Sequence, residues 1–171
     1  LIDGQVIDTR TRANLTEARL NKINAIDFAS LPIKDALVWK VGTGARKGVV
    51  FADPNCGYCK RFERDIQKAK DVTIYTFLLP ILGGDSPEKS RNIWCAKDST
   101  SVWREWMVNG TVPPRAMAQC DTAALQRNMA MGKKYRVNGT PALVFEDGKR
   151  VPGALPPAQI EAQLTASRAK S

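Results

Sequence analysis

Gly48-Val49-Val50-Phe51-Ala52-Asp53-Pro54-Asn55-Cys56-Gly57-Tyr58-Cys59-Lys60 is the stretch that decides how this chain reads. The apolar run Gly48 to Phe51 has strand character, and the residues after Gly57 have the charged and apolar spacing of an amphipathic helix. Two cysteines separated by two residues therefore sit where a strand turns into a helix. The first sulfur lies near the unpaired N–H groups and the positive end of the helix dipole. That setting lowers a thiol pKa, and a thiolate stabilised there attacks other disulfides and leaves readily when displaced. The motif points to thiol-disulfide exchange.

Helical phase separates the two sulfurs. A helix from about Gly57 to Ala69 puts Tyr58, Cys59, Phe62, Ile66 and Ala69 on one buried face. Cys56 is then expected at an exposed tip as the attacking nucleophile, with Cys59 one turn inward as the resolving thiol. Lys60, Arg61 and Arg64 fall on the solvent side, with Glu63 and Asp65 among them, and the plain reading of that pattern is a solvated face. Tyr58 reads equally as a core residue and as a substrate contact. Two other uses of the cysteine pair compete. Structural zinc wants four Cys or His ligands in close pairs, but the chain has no histidine and its other cysteines, Cys95 and Cys120, are far apart, so no metal is expected. An inert disulfide across so short a loop would constrain little of the unfolded chain.

With 171 residues and 43% hydrophobic content, the chain can bury a normal core without a framework of disulfides. Taking Cys56 and Cys59 as one couple leaves Cys95 and Cys120 for a second bridge, whose loop of about 25 residues is worth roughly 3 kcal/mol in the entropy model. Such a bridge implies an oxidising compartment. The alternative is a buried free thiol at Cys95, packed among Ile93, Trp94 and Ala96. A net charge of +9 raises the question of nucleic acid. The basic residues are scattered among acids and match no nucleic-acid-binding fingerprint, so that partner is not expected. No stretch is long and apolar enough to cross a membrane. With Leu1 rather than Met first, the sequence is expected to be a processed chain or a piece of a longer one, any export signal lying in the part not shown.

The rest of the chain reads as mixed α/β. A short alternating segment surrounds Gln5, Val6 and Ile7, and Asn14 with Glu17 can cap a helix carrying Leu20, Ile23 and Ile26. Strands are expected at Leu37 to Val41, Gly48 to Asp53 and Val72 to Leu79, the second leading into the cysteine helix. Asp85 and Ser86, ahead of Pro87 and Glu88, start a helix toward Asp98, and Val102 to Val108 adds a further helical turn or two. A Pro-rich loop over 109–119 delivers Cys120 toward Cys95, and Asp121 caps a helix to about Tyr135. Ala142 to Phe145, Asp147-Gly148, then Arg150 and Val151 spell a hairpin, and Pro157 opens a last helix through Leu164. Strand, helix and strand, then helices, then a hairpin and a helix is the thioredoxin order, with a helical insertion at about 85–135.

Gly139-Thr140-Pro141, just ahead of the hairpin, is the second chemical feature. Proline at a strand entrance cannot donate to the ladder, and a cis bond before it turns the neighbouring carbonyl and N–H outward, where an extended substrate can pair with them. An ordinary trans proline on an edge strand is the competing reading. The order of features, with the strand-Cys-helix stretch upstream, favours cis Pro141 opposite the cysteines.

Phe51 to Lys60, Ile93-Trp94-Cys95-Ala96-Lys97-Asp98, Val137-Asn138-Gly139-Thr140-Pro141-Ala142 and Val151-Pro152-Gly153 with Pro156-Pro157 together resemble the DsbC/DsbG family of bacterial periplasmic disulfide isomerases. The match runs through most of residues 36–165. Cys56-Gly57-Tyr58-Cys59 is similar to the isomerase branch, and Phe51-Ala52-Asp53-Pro54 looks more like the DsbG branch. The resemblance implies an α/β thioredoxin-like fold with a helical insertion, preceded by a linker helix. It divides the chain into a remnant of an N-terminal dimerisation domain over 1–14, a linker helix over 15–35 and a catalytic domain over 36–171. It also implies catalysis by Cys56 and Cys59, substrate contacts from Gly57, Tyr58, Thr140 and Pro141, and a structural disulfide at Cys95 and Cys120.

The implied partners are misfolded disulfide-containing proteins and a membrane reductase of the DsbD type, with homodimers in the full-length protein and no cofactor. The implied location is the periplasm, as a soluble protein. The strand before the cysteines offers Val49, Val50 and Phe51 but no buried acid, so proton transfer to Cys59 is expected from water or elsewhere. Two other functions fit the same residues: a monomeric disulfide oxidase or reductase, and a chaperone-like holdase for unfolded exported proteins.

Overall fold

Alternation along three apolar strands organises the molecule. The structure is a computed structural model, and it describes residues 7–8, 13–153 and 155–170. The first strands, β1 (Ile7–Asp8) and β2 (Ala13–Asn14), form a two-residue antiparallel ladder that leads into helix α1 (Leu15–Asn24). Gln5 and Val6, and the side chains of Asn14 and Glu17 expected to cap α1, lie outside what is described.

A five-stranded sheet follows, built from β3 (Leu37–Val41), β4 (Arg46–Ala52), β5 (Val72–Leu78), β6 (Ala142–Phe145) and β7 (Arg150–Pro152) in the order β3-β5-β4-β6-β7. β4 pairs in parallel with β5, and every other pairing is antiparallel. The helices are α2 (Gly57–Ile66), α3 (Ser86–Trp94), α4 (Ser99–Asn109), α5 (Ala123–Lys134) and α6 (Pro157–Lys170).

Side chains two apart along a strand share a face. Val50 and Ala52, Ile74 and Leu78, and Leu143 and Phe145 therefore meet Cys59, Phe62 and Ile66 of α2, Trp103 and Met107 of α4, and Ile160 and Leu164 of α6. Val49 and Phe51, Phe77, and Ala142 and Val144 face the other way, onto Met131 of α5 and onto Ile26, Leu31 and Ala36. Covering on both faces explains why β4 from Gly48 to Ala52 is an unbroken apolar run rather than an alternating one. Each fully buried Leu, Phe or Ile here contributes about 2 kcal/mol of burial.

Several boundaries differ from the sequence reading. The helix expected over 15–35 stops at Asn24, and single 3-10 turns follow at Phe28–Ser30 and Ile33–Asp35. Ile26 and Leu31 are drawn into the core, and Ile26 N–H donates to the Gly148 carbonyl at 2.9 Å. Only glycine allows that approach, because Gly148 has φ 85° and a Cβ there would lie 2.7 Å from the Ile26 oxygen. The helix expected to reach Asp98 ends at Trp94, since the Asp98 carboxylate instead caps α4 by accepting from Ser101 N–H at 3.2 Å. α2 stops at Ile66 rather than Ala69, and α6 continues past Leu164 to Lys170.

Candidate active site

The end of β4 and the start of α2 place Cys56 as the N-cap residue, with φ −80° and ψ 121°. Its Sγ accepts from Cys59 N–H at 3.3 Å, so one of the orphan donors of the first turn points at this sulfur. The same sulfur donates its proton to the Thr140 carbonyl at 3.2 Å. Both cysteines are free thiols. Residues 84 apart in sequence thus meet because β4 and β6 are neighbours in the sheet. The Thr140–Pro141 bond is cis, and the buried Thr140 hydroxyl oxygen has no hydrogen-bond partner among the described residues.

Cys56 does not occupy an exposed tip. It is only 7% exposed, because the Thr140 segment lies over it. Cys59 is deeper still, and burial pushes its thiol far above the usual cysteine range, with the hydrogen bond to Cys56 acting the same way. At neutral pH Cys59 is held as a thiol behind Cys56.

Gly57 and Tyr58 lie outward. Tyr58 is 64% exposed, which overturns its place on the buried helical face. Side chains on a helix lean toward its N-terminus, so a residue in the first turn overhangs the end of the layer rather than packing beneath it. Glu63, expected among the solvent-facing charges, is 3% exposed. α4 packs on that flank of α2, where Trp103 Nε1 and Arg104 Nη1 donate to the Glu63 carboxylate at 3.0 and 3.2 Å.

The strand leading to the cysteines is expected to bring no buried acid. Asp53, one residue past β4, is one, and it is fully buried. Its carboxylate accepts from Asn55 N–H and Ser86 Oγ, each at 2.8 Å, and from Leu82 N–H at 3.0 Å. All three donors belong to the loop or the insertion, so this acid acts as a hub that ties them together. Asn55 Nδ2 adds bonds to Asp85 and Ser86, and Lys89 Nζ donates to Asn55 Oδ1 at 2.9 Å. Trp106 Nε1 donates to the Pro54 carbonyl. Each residue of the turn before Cys56 is therefore held by the inserted helices.

Cys95 and Cys120 form a disulfide with a Cα–Cα distance of 5.9 Å. It joins the end of α3 to the loop before α5, which is also fastened where Ala116 N–H donates to Asn92 Oδ1 at 2.9 Å. Among the described residues no three Cys, Asp or Glu side chains converge as a metal site requires, and no helix is long and apolar enough to cross a membrane.

Residues 33–168 match the family model described as a thioredoxin-like domain. The probable thiol:disulfide interchange protein DsbC of Bordetella pertussis is 44% identical over 164 residues, covering 96% of this chain and 58% of that protein. DsbC of Escherichia coli K12 is 30% identical over 168 residues, covering 94% of this chain and 67% of that protein. The chain belongs to the DsbC-like thiol:disulfide interchange family.

The disulfide interchange protein of Neisseria gonorrhoeae, a solved structure, superposes with a TM-score of 0.76 at 33% identity, covering 81% of this chain and all but 1% of its own. The fold is accordingly thioredoxin-like, with α3, α4 and α5 inserted between β5 and β6. This DsbC-like chain spans only 58% of the length of the Bordetella relative.

Proposed function

We propose that this chain is the catalytic portion of a protein disulfide isomerase that rearranges or reduces wrong disulfides in exported proteins. The observation that carries the reading is the placement of Cys56, whose sulfur caps α2 and touches the Thr140 carbonyl while Cys59 waits behind it. In the first step the Cys56 thiolate attacks a substrate disulfide. A bond forms between Cys56 Sγ and one substrate sulfur, and the other substrate sulfur leaves as a thiolate. That thiolate can attack elsewhere in the substrate, and the last exchange returns Cys56, with no net change in redox state. Alternatively, Cys59 attacks Cys56 Sγ and its proton passes to the departing sulfur. The enzyme is then oxidised and the substrate reduced. Keeping Cys59 protonated slows this second exit and favours rearrangement.

Within this reading Gly57, Tyr58, Thr140 and Pro141 hold an extended substrate segment, and Cys95 with Cys120 is the structural bridge. A membrane reductase of the DsbD type keeps the pair reduced, the compartment is the periplasm, and the full-length protein is a homodimer. Residues 1–14 belong to its dimerisation domain and 15–35 to the linker. The test starts from fully reduced chain and a scrambled disulfide-bonded protein, with Cys56→Ser alongside. Recovery of the native protein that vanishes in the variant supports the proposal. Loss of substrate disulfides without recovery assigns this portion to reduction alone.

A further inference from the structure

A concave surface lies between α5 and the segment that leaves β5. Its volume is about 420 Å³, and it is lined by Leu79, Ile81, Met129 and Val137, with Lys133 and Arg136 on its rim. Leu79 and Val137 are buried, whereas Met129, Lys133 and Arg136 are exposed. Both walls lead back to the cysteines. Asn138 lines the groove two residues ahead of Thr140, which meets Cys56, so the two are at most roughly 7 Å apart along the chain. Opposite, Ile81 precedes Leu82, whose N–H donates to Asp53 in the turn before Cys56.

The charge of the groove is one-sided. Its charged lining residues are both basic, and neither is in an ion pair among the described residues. Arg136 has φ 55° where α5 has just ended, a left-handed position that favours glycine. That conformation closes α5, since Arg136 N–H donates to the Lys133 carbonyl at 3.1 Å and Val137 N–H to the Gly132 carbonyl at 2.8 Å, and it sets Arg136 at the helix stop that lines the groove. The chain as a whole carries +9, so the rim adds to a field that already draws acidic segments.

We propose that this groove is a substrate subsite beside the thiols, and that it takes an extended polypeptide segment in which an apolar side chain is flanked by a carboxylate. The apolar side chain enters the hollow over Leu79 and Val137, and the carboxylate pairs with Arg136 or Lys133. The segment lies roughly two to four residues from the reacting cysteine. The inference rests on the exchange reading given above, and it makes the groove a selector among disulfides rather than a part of the chemistry.

Two disulfide-linked peptides test it, alike except that one carries Leu flanked by Asp near its cysteine and the other Leu flanked by Lys. With glutathione in excess to return Cys56 and Cys59 to the dithiol, wild-type chain is expected to reduce the acidic peptide about tenfold more efficiently by kcat/KM, chiefly through KM. The preference should shrink as salt is raised from low to about 0.5 M, a measurement that needs no variant. In the double variant Lys133→Glu, Arg136→Glu the preference should invert. Hydroxyethyl disulfide, small and neutral, separates the two claims. Wild-type chain that fails to reduce it overturns the exchange reading itself. Reduction of hydroxyethyl disulfide together with equal kcat/KM for both peptides overturns the groove alone. Equal peptide rates accompanied by a dimer in sedimentation that the double variant dissolves would assign the groove to a second copy and also overturn the proposal.

Discussion

The indole N–H of Trp106 donates to the Pro54 carbonyl at 2.7 Å, so an inserted helix holds the backbone two residues ahead of Cys56. The ammonium groups of Lys60 and Lys89 lie over the same ring, 4.6 and 4.4 Å from its centroid. Lys60 is four residues past Cys56, and its N–H donates to the Cys56 carbonyl at 3.1 Å. One tryptophan thus touches the chain on both sides of Cys56. The insertion, which the thioredoxin order treats as an addition, works as the armature of the thiol loop.

Trp106→Phe keeps an aromatic ring under the two lysines and removes only the N–H. A lost hydrogen bond of this kind is worth about 1 kcal/mol, or roughly fivefold in a rate that depends on the loop's geometry. Alkylation of Cys56 by iodoacetamide should slow by about that factor, with a modest fall in melting temperature. An unchanged rate would show that Asp53 and Asn55 hold the turn without help from α4.

Replacing Cys95 and Cys120 together by Ser opens a loop with a sequence separation of 25 residues. The entropy model predicts a loss of about 3 kcal/mol, read as a lower urea midpoint. The pair Cys56 and Cys59 should still exchange under folding conditions. A loss well under 1 kcal/mol would mean that the contacts of Asn92 and Arg91 with residues 116–118 already hold the loop.

Burial pushes the Glu63 carboxyl up, against the hydrogen bond from Trp103 and the charge of Arg104, which hold it down. A carboxyl with a folded pKa above its unfolded value favours the fold most in its protonated form. Its contribution is fully present below about pH 4 and is lost as pH rises through the folded value. Urea midpoints should therefore show Glu63→Gln gaining on the wild type as pH rises from about 4. Glu63→Ala, which leaves Trp103 N–H and Arg104 without an acceptor, should cost about 3 kcal/mol.

Asp35 carries the opposite sign. Arg127 Nε and Nη2 each donate to its carboxylate at 2.8 Å, and that hydrogen bond holds the carboxyl below its usual range despite burial. The stabilisation is present above the unfolded value near 4 and disappears as pH falls through the folded one. Asp35→Asn should lower stability at neutral pH, and the gap to wild type should close in acid. A gap that stays constant between pH 6 and pH 2 would contradict the assignment.

What was legible in the sequence depended on how far apart the deciding residues lie. Val49-Val50-Phe51 followed by the cysteines, and Thr140-Pro141 ahead of a hairpin, are local patterns, and both sit where their periodicity and turn chemistry put them. Glu63 could not be placed that way, because its partner Trp103 is 40 residues on, and nothing in the α2 periodicity says that α4 covers that flank. The cover over Cys56 comes from a residue 84 positions away. Asp53 carries a local signal: an acid one residue past a buried strand, ahead of a Pro-Asn turn whose own N–H it accepts. Tyr58 was lost to end geometry, since a spacing argument holds within a helix and weakens in its first turn.

The central claim is that Cys56 attacks and Cys59 resolves, and trapping tests it most directly. Reduced Cys59→Ser chain, mixed with a disulfide-bonded substrate and quenched in acid, should accumulate a mixed disulfide that mass spectrometry locates at Cys56, while Cys56→Ser accumulates none. A mixed disulfide at Cys59 in the Cys56→Ser chain, formed as fast as the first, would contradict the account.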